Sequence, residues 1–331
     1  MFANIKAEVL KRIREVKAED GFISGQRLCR ELSVSRTAVW KAVSALKEAG
    51  YEIESVTNKG YRLISSPDIL TDSELLSRMD TEFVGRELLV FEVTDSTNEE
   101  LKRRYTELSE GAVAVADSQS AGKGRRGRVW ETPPGENIAL SVFLKPDMDP
   151  SRASMLTIVA AMAMLDTCRE AGLDVSIKWP NDVVSEGKKL CGILTEMSAE
   201  PDFINYVIVG VGVNVNRKGF PEELRDRATS FCLCAGRNFS RAYLTSLFLK
   251  FFEQRYKGFL KTCDLSGIMD EYNEVLAGKG SKVRVLDPKG EYEGISRGIN
   301  KTGELLVETD EGDIREVYSG EVSVRGVYGY V

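Results

Sequence analysis

The stretch Gln119-Ser120-Ala121-Gly122-Lys123-Gly124-Arg125-Arg126-Gly127-Arg128-Val129-Trp130 combines three glycines with four cations and decides which fold the chain can have. It follows a strand pattern over residues 112–116 and formally contains G-x-G-x-x-G, the fingerprint of dinucleotide-binding folds. Such a fold needs a helix directly after the glycines, whereas this chain continues Arg-Val-Trp-Glu-Thr-Pro-Pro, which cannot open a helix. The segment, called the glycine loop below, therefore excludes a Rossmann turn.

The charge of the glycine loop predicts an anion as its ligand. Four cations fall within residues 123–128, and they repel one another unless a multiply charged anion lies among them. The chain contains no G-x-x-x-x-G-K-[ST] phosphate loop that could take this role elsewhere. A triphosphate is the anion that fits best. The alternative is a solvated basic loop, and the interleaved glycines and closing tryptophan weigh against it.

Two lysines and a pair of strands follow the glycine loop. Lys178 begins the run Lys-Trp-Pro-Asn-Asp, and Lys189 stands directly before a strand pattern over residues 190–197. An ammonium at the start of a buried strand can face a cleft, although either lysine taken alone would more often be a surface charge. The next strand pattern, 207–214, contains two glycines that permit close approach of a ligand and ends on Asn214.

The N-terminal segment predicts a DNA-binding domain. Residues 5–16, 24–32 and 35–49 have the apolar spacing and caps of three helices, the last two across a three-residue turn, while 51–56 and 61–64 predict a hairpin. This order is typical of a winged helix-turn-helix, and it argues against the alternative of a small helical bundle with a solvated basic face. The side chains expected to meet DNA, near the start of the third helix, are Arg36, Thr37, Trp40 and Lys41.

Charge and composition limit the possible chemistry. The chain has a net charge of −6, but residues 1–65 carry 12 Lys and Arg against 8 Asp and Glu, a net of +4, so the basic end is the candidate polyanion binder. There is no histidine, which excludes His-based triads, His-ligated metals and imidazole bases. Catalysis must therefore use lysine, arginine, carboxylates and backbone amides.

Other features predict a cytoplasmic multidomain protein. The six cysteines are scattered without a zinc-binding pattern, so we expect buried thiols in a reducing compartment. The longest apolar run, 158–165, is far shorter than the roughly 20 residues that a membrane span needs. Strands over residues 280–331, the last at 322–324, predict a small SH3-like β-barrel. The predicted fold class is α+β, with a winged helix-turn-helix at 1–65, a mixed α/β domain at 66–278 and the barrel at 279–331.

Five ordered motifs carry a resemblance to a known family. They are Asp95-Ser96-Thr97-Asn98, the glycine loop with Gln119, the Lys178-Trp179-Pro180-Asn181-Asp182 run, Lys189-Leu190-Cys191-Gly192-Ile193-Leu194, and Gly210-Val211-Gly212-Val213-Asn214. In this order they resemble biotin protein ligases, and with the N-terminal winged helix the chain is similar to the bifunctional bacterial form that also represses the biotin operon. One departure is visible, since the loop reads Gly-Lys where the family pattern begins Gly-Arg. A lysine keeps the charge but cannot make the two-pronged contact of a guanidinium.

The resemblance implies an activity and its partners. The family activates biotin with ATP and Mg²⁺ to biotinyl-5′-AMP, transfers biotin to a lysine of a biotin carboxyl carrier protein, and represses through operator DNA as a homodimer that forms on ligand binding. No membrane partner and no metal ligand are implied. Two alternatives stay open at this point: a ligand-sensing repressor without ligase activity, and a lipoate or octanoate ligase that shares the catalytic fold.

The resemblance also implies roles for individual residues. Lys189 and Arg125 are expected to be catalytic, with Lys189 at the biotin carboxylate and the α-phosphate. Arg125 and Arg126 are expected at the phosphates, and Trp130 against the adenine. The full set expected to bind biotin or ATP is Ser96, Thr97, Asn98, Gln119, Gly122, Lys123, Gly124, Arg125, Arg126, Trp130, Lys178, Asn181, Asp182, Lys189, Gly192, Gly210 and Asn214.

Overall fold

The computed structural model describes residues 4–16, 21–287, 290–319 and 323–326, and the chain divides into two compact units. Unit 1 consists of Met1–Asp80 with Ser240–Ser246, and unit 2 of Thr81–Phe239 with Leu247–Val331. The N-terminal unit thus extends beyond residue 65, and the domain boundaries expected at 65/66 and 278/279 remain predictions.

Unit 1 contains the predicted winged helix-turn-helix. Its elements are α1 (Ile5–Arg14), α2 (Gly25–Leu32), α3 (Arg36–Glu48), β1 (Glu52–Val56), β2 (Gly60–Ser65) and α4 (Asp72–Leu76). Ser24 and Ser35 begin α2 and α3 as predicted, because each hydroxyl accepts a hydrogen bond at 3.1 Å from the backbone amide three residues on. β1 and β2 pair as an antiparallel hairpin, which is the wing.

The third helix separates a core face from an exposed face. Val39 and Val43 lie on the buried side, packed with the apolar residues of α1 and α2. The four residues expected at DNA are all exposed, and the indole of Trp40 is 61% exposed. The wing approaches this core so closely that a Cβ at Gly60 would lie 2.0 Å from the Ile23 carbonyl oxygen, so only glycine fits there.

Helix α4 follows the wing and was not foreseen, because five residues are too few to show a helical period. Its Glu74 side chain is fully buried and takes ion pairs from Arg14 at 2.6 Å and Arg78 at 2.7 Å, and a hydrogen bond from the Tyr51 hydroxyl at 2.5 Å. Burial raises the pKa of this carboxyl, but the hydrogen bonds from Arg14 and Tyr51 outweigh it and leave the pKa below its usual value. A buried carboxylate is tolerated only with such partners.

Unit 2 is built on a seven-stranded mixed sheet. From residue 88 onward the elements are β3 (Leu88–Thr94), α5 (Thr97–Arg103), β4 (Val113–Gln119), β5 (Asn137–Leu144), α6 (Met155–Glu170), β6 (Ser176–Lys178), β7 (Asp182–Ser185), β8 (Lys188–Ala199), β9 (Ile204–Asn214), α7 (Phe231–Ala235), α8 (Arg241–Phe259) and α9 (Met269–Val275). The strand order is β3-β4-β5-β9-β8-β7-β6, and among these strands only β3 and β4 pair in parallel. The expected mixed α/β domain without a regular βαβ repeat is confirmed.

The C-terminal part of unit 2 is a separate five-stranded antiparallel sheet. Its strands are β10 (Lys282–Leu286), β11 (Tyr292–Ile299), β12 (Leu305–Glu308), β13 (Ile314–Val317) and β14 (Ser323–Gly326), in the order β13-β12-β11-β10-β14. The strand expected at 322–324 falls partly outside the described residues. The predicted α+β class, with a small β domain at the C-terminal end, is confirmed.

The cysteines differ in burial, from fully buried to exposed. Cys168, Cys191 and Cys232 are buried as expected, but Cys234 is exposed, so the expectation of buried thiols is wrong for that residue. The apolar run 158–165 lies within α6, which begins at Met155 after a 3₁₀ turn at Pro150–Arg152. Within the described ranges, no helix is both long and apolar enough to cross a membrane.

Candidate functional site

Two adjoining cavities lie in unit 2, a large one of roughly 900 Å³ and a small one. Five predicted residues line both: Gly124, Arg125, Trp130, Asn181 and Lys189. The small cavity is also lined by Ser96, Thr97, Asn98, Gln119, Lys123, Gly192 and Gly210. The large cavity is also lined by Arg126, Lys178, Asp182 and Asn214. The structure thus brings together all the predicted residues except Gly122, which is buried beside them in the glycine loop.

The wall of the small cavity is formed where α5 begins. Thr97 donates two hydrogen bonds to the Gln119 side-chain oxygen, from its backbone amide at 2.9 Å and its hydroxyl at 3.2 Å. The hydroxyl of Ser141 lies 2.5 Å from Asn98 Oδ1 and 2.7 Å from the Thr97 hydroxyl. Ser141 was not foreseen, although a lone hydroxyl inside the apolar run of β5 is a signal that could have found it.

The amide of Asn98 is held in one orientation. Its nitrogen donates to the Glu196 carboxylate at 2.6 Å, while its oxygen faces the Ser141 hydroxyl. A Cβ at Gly210 would lie 2.3 Å from Asn98 Oδ1, which explains the glycine in the middle of β9. Glu196 also escaped the sequence argument, since a charged residue late in a strand is usually solvated.

Trp130 forms the floor between the two cavities. A Cβ at Gly212 would lie 2.3 Å from its Cε2 atom, so the indole lies directly on the backbone of β9. The ammonium of Lys189 lies 5.5 Å from the centroid of the indole ring, within the range of a cation–π contact. The indole Nε1 is buried and has no hydrogen-bond partner within the described residues.

Lys189 is fixed through both its backbone and its side chain. Its amide donates to the Arg227 carbonyl at 2.8 Å, and its carbonyl accepts from the Thr229 amide at 2.9 Å. Its ammonium forms an ion pair with Asp182 Oδ1 at 2.6 Å. The side chain therefore presents a held positive charge at the boundary between the large and the small cavity.

Arg125 fastens the glycine loop to two other parts of unit 2. Its guanidinium donates to Asn181 Oδ1 at 3.0 Å and to the backbone carbonyl of Ser319. Asn181 is held in turn by a 3.0 Å hydrogen bond from its Nδ2 to the Ile193 carbonyl. Burial lowers the pKa of Arg125, and the nearby charge of Asp182 opposes this shift.

The rest of the large cavity comes from a segment to which the sequence argument assigned nothing. Residues 217–229 supply six lining residues, which are Arg217, Phe220, Leu224, Asp226, Arg227 and Ala228. The guanidinium of Arg217 stacks 4.7 Å from the ring of Phe220. This segment has no motif and contains one short 3₁₀ helix. Hydrogen bonds with Lys189 and Asn214 and an ion pair between Arg217 and Glu131 hold it at the site.

The large cavity is strongly cationic in a chain whose net charge is −6. Among its lining residues, eight are Arg or Lys and three are Asp or Glu. Burial lowers the pKa of Lys178 to about 8, with Asp182 opposing the shift and Arg325, Lys189 and Arg128 adding to it. The neighbouring cations thus disfavour the charged form of Lys178. A cavity with so much positive charge is suited to a polyanionic ligand.

Comparison with known proteins agrees with this geometry. Residues 90–214 match the Biotin/lipoate A/B protein ligase family, 280–325 the Biotin protein ligase C terminal domain, and 9–62 an HTH domain. The chain is 40% identical over 312 residues to the Bifunctional ligase/repressor BirA of Bacillus subtilis, covering 93% of this chain and 95% of that protein. The chain belongs to the biotin protein ligase family.

Further relatives place the chain in the bifunctional branch of this family. The Bifunctional ligase/repressor BirA of Escherichia coli is 32% identical over 309 residues, which covers 93% of this chain and 94% of that protein. The biotin protein ligase of Aquifex aeolicus, solved in complex with biotin and ATP, superposes with a TM-score of 0.65 at 31% identity. It covers 73% of this chain and 99% of its own. The resemblance expected from the five motifs is confirmed.

The lowered pKa of Lys178 predicts a pH-dependent affinity for ATP. As the pH rises through about 8, the ammonium loses its charge, and we expect the dissociation constant for ATP to rise. Titration calorimetry with ATP at about pH 7 and about pH 9 checks this, since a lost cation weakens phosphate binding. Lys178→Arg, which stays charged, should remove the difference. Equal ATP affinity of the unmodified protein at both pH values would contradict a role for Lys178 at the phosphates.

Proposed function

We propose that this protein activates biotin with ATP to biotinyl-5′-AMP and transfers the biotin to a lysine of a biotin carboxyl carrier protein. We propose also that, with the adenylate bound, it represses biotin genes through its winged helix-turn-helix. The observation that carries the first part is the ammonium of Lys189 at the boundary between a polar small cavity and a cationic large one. The setting of this reaction is the cytoplasm, where ATP is available.

Biotin occupies the small cavity in this proposal. Ser96, Thr97, Asn98 and Gln119 hydrogen-bond its ureido ring, and the fixed amide orientation of Asn98 supports such a directional contact. Gly192 and Gly210 let the side chains of Lys189 and Asn98 lie directly against the strands that line this cavity. The backbone of residues 122–125 closes over the ligand. The carboxylate of biotin then points toward the Lys189 ammonium.

ATP occupies the large cavity, whose charge supports the assignment. Arg125, Arg126 and Lys178 contact the phosphates, Asn181, Asp182 and Asn214 line the same site, and Trp130 packs against the adenine. Mg²⁺ enters with ATP as part of the substrate. Within the described residues no group of three or more Cys, Asp or Glu side chains could hold a resident ion, and Mg²⁺ is usually bound through substrate phosphates and one or two carboxylates.

The first step joins two anions. A carboxylate oxygen of biotin attacks the α-phosphorus of ATP, the new C–O–P link forms, and the bond to pyrophosphate breaks. Lys189 lowers the repulsion between carboxylate and phosphate because its held charge lies where both meet, and Arg125 stabilises the charge that develops on the phosphate. Neither residue gains or loses a proton, which suits a site that contains no histidine.

The second step transfers biotin to the acceptor. The neutral amine of the acceptor lysine attacks the carbonyl carbon of the adenylate, and AMP leaves with the bridging oxygen. Water would destroy the same mixed anhydride, so the glycine loop must stay closed until the acceptor arrives. The hydrogen bonds of Arg125 to Asn181 and Ser319 supply such a closure.

Lys189→Ala should lower the rate of adenylate formation by about 10² to 10³, the usual effect of removing one preorganised electrostatic group. Biotin-dependent exchange of labelled pyrophosphate into ATP measures this step alone. Lys188→Ala is the matched control, because this neighbouring lysine lines neither cavity and its ammonium donates a hydrogen bond to the Arg225 carbonyl at 3.3 Å. Full exchange activity in Lys189→Ala would remove Lys189 from the mechanism.

The exchange assay on the unmodified protein also separates the competing functions. A ligand-sensing repressor without ligase activity would bind biotin but give no exchange. A lipoate or octanoate ligase would give exchange with lipoate and not with biotin. The bifunctional relatives and the held charge at Lys189 support the biotin ligase.

The N-terminal unit supports the repressor half of the proposal. Arg36, Thr37, Trp40 and Lys41 stand together on the exposed side of α3, where a recognition helix reaches base edges in the major groove. The net charge of +4 over residues 1–65 is small for tight binding by one copy. Specific repression therefore needs a homodimer on paired half-sites of operator DNA.

We expect biotin together with MgATP to promote both dimerisation and operator binding. The phosphate of the adenylate attracts the arginines of the glycine loop, and a loop ordered in this way favours the dimer. By linkage, whatever factor the adenylate adds to dimer affinity, dimerisation adds to adenylate affinity. Sedimentation with and without the two substrates, beside titration of operator DNA, measures both effects.

Two controls make this prediction specific. Trp40→Ala and Lys41→Ala should weaken operator binding and leave pyrophosphate exchange unchanged, because both residues lie in unit 1. If the monomer–dimer constant and the operator affinity are the same with and without substrates, the DNA-binding domain is not regulated by the adenylate.

A further inference from the structure

The first cation of the glycine loop has a partner on the protein. The ammonium of Lys123 lies 2.7 Å from Glu99 Oε1, and the same oxygen accepts a hydrogen bond from Lys102 at 3.0 Å. Lys102 also pairs with Glu196 Oε1 at 2.7 Å, and the other oxygen of Glu196 accepts from the Asn98 amide at 2.6 Å. Four charged side chains of both signs thus form one continuous network, called the α5 network below.

The α5 network connects the glycine loop to the wall of the small cavity. Glu99 and Lys102 stand three residues apart on α5, so their side chains are neighbours on the helix surface. The helix begins with the residues that form the cavity wall, and Glu196 of β8 holds the amide of Asn98. A displacement of Lys123 would therefore reach Asn98 through two shared carboxylates.

Other cations of the same loop are placed differently. Arg126 and Arg128 are exposed, line the large cavity and have no side-chain hydrogen bond or ion pair with another described residue. The side chain of Lys123 is half exposed and points to the small-cavity side, where the loop meets α5. The loop thus carries cations available to phosphates at one end and a cation already neutralised at the other.

The chemistry of lysine suits this contact. A single carboxylate oxygen of Glu99 is shared by the ammonium groups of Lys102 and Lys123. A lysine can share an oxygen in this way because its ammonium is compact and its donors rotate, whereas the planar guanidinium of an arginine fits two oxygens better. Isolated ion pairs at the surface contribute little, but a connected set of charges is the recognised exception. The hydrogen bond from Lys123 is also the largest cause of a lowered pKa at Glu99.

We infer that the ammonium of Lys123 fastens the glycine loop to Glu99 over the biotin cavity, and that it makes no contact with the phosphates of ATP. Glu99 is then a positioning residue for biotin, acting through the loop and through Asn98. This inference rests on the proposed function. It explains how the loop tolerates Lys123 where the family pattern begins Gly-Arg. The side chain at this position holds the loop closed, and that contact does not need the two-pronged geometry of a guanidinium.

Steady-state kinetics of adenylate formation distinguish the two roles of Lys123. Glu99→Gln and Lys123→Gln should each raise KM for biotin about fivefold, the upper range for an exposed ion pair, and leave KM for ATP and kcat unchanged. Glu99→Gln also weakens the contact with Lys102. The double variant should therefore match Glu99→Gln alone, because the contact between residues 99 and 123 is already broken there. Glu107→Gln, an exposed carboxylate beyond the end of α5, is the matched control and should change nothing.

The outcomes separate failure of this inference from failure of the proposed function. A raised KM for ATP in Lys123→Gln, with KM for biotin unchanged, would make Lys123 a phosphate contact and overturn the inference, as would additive effects in the double variant. If the unmodified protein forms no adenylate, the proposed function fails. Hydrogen exchange without any ligand then still tests the contact between Lys123 and Glu99. The backbone amides of residues 122–124 should exchange faster in Glu99→Gln than in the unmodified protein. Equal exchange would overturn it.

Discussion

Two negatively charged substrates must meet inside one protein, and the arrangement of charge in unit 2 follows from that constraint. A carboxylate and a triphosphate repel each other most strongly where water is excluded, so the protein must supply fixed positive charge at the point of contact. In the proposed function the Lys189 ammonium at the start of β8, paired with Asp182 at 2.6 Å, supplies this charge. The cationic lining of the large cavity extends the same solution along the phosphates.

Glycines in the sheet allow side chains of the site to lie directly against the backbone. Positions 210 and 212 of β9 lie under Asn98 and Trp130 so closely that a methyl group would displace either side chain. The small cavity is therefore bounded by backbone on one side and by oriented polar groups on the other. The glycine loop closes the remaining side, held by Arg125 at one point and by the α5 network at another. In the proposed function, these fixed walls and the fastened loop together protect the reactive anhydride from water.

The sequence could predict the parts of the structure that depend on local rules. Ser24 and Ser35 predict the starts of two helices, because capping is a short-range interaction. The sequence after the glycines cannot open an α-helix, and this local property likewise excludes the Rossmann fold. The residues predicted to bind biotin or ATP were expected at one site, and all of them but Gly122 line the two cavities. Their individual roles in binding and catalysis remain predictions.

The features that the sequence could not predict depend on contacts between distant segments. Ser141 and Glu196 orient Asn98 from two other strands, and Glu99 reaches Lys123 across 24 positions of the chain. Residues 217–229 carry no motif and are held at the site by long-range contacts with Lys189, Asn214 and Glu131. Helix α4 is too short to show a period, and the buried Glu74 that holds it needs Arg14 and Tyr51 from two distant segments besides the nearby Arg78.

The central claim is that the biotin carboxylate attacks the α-phosphorus of ATP at Lys189. The fate of the carboxylate oxygens tests it most directly. Biotin labelled with oxygen-18 in its carboxylate is incubated with the protein, MgATP and a biotin carboxyl carrier protein, and the released nucleotide is analysed by mass spectrometry. The account predicts AMP that carries one oxygen-18 atom for each biotin transferred, because the bridging oxygen leaves with the phosphate. Unlabelled AMP, or ADP as the released nucleotide, would contradict it.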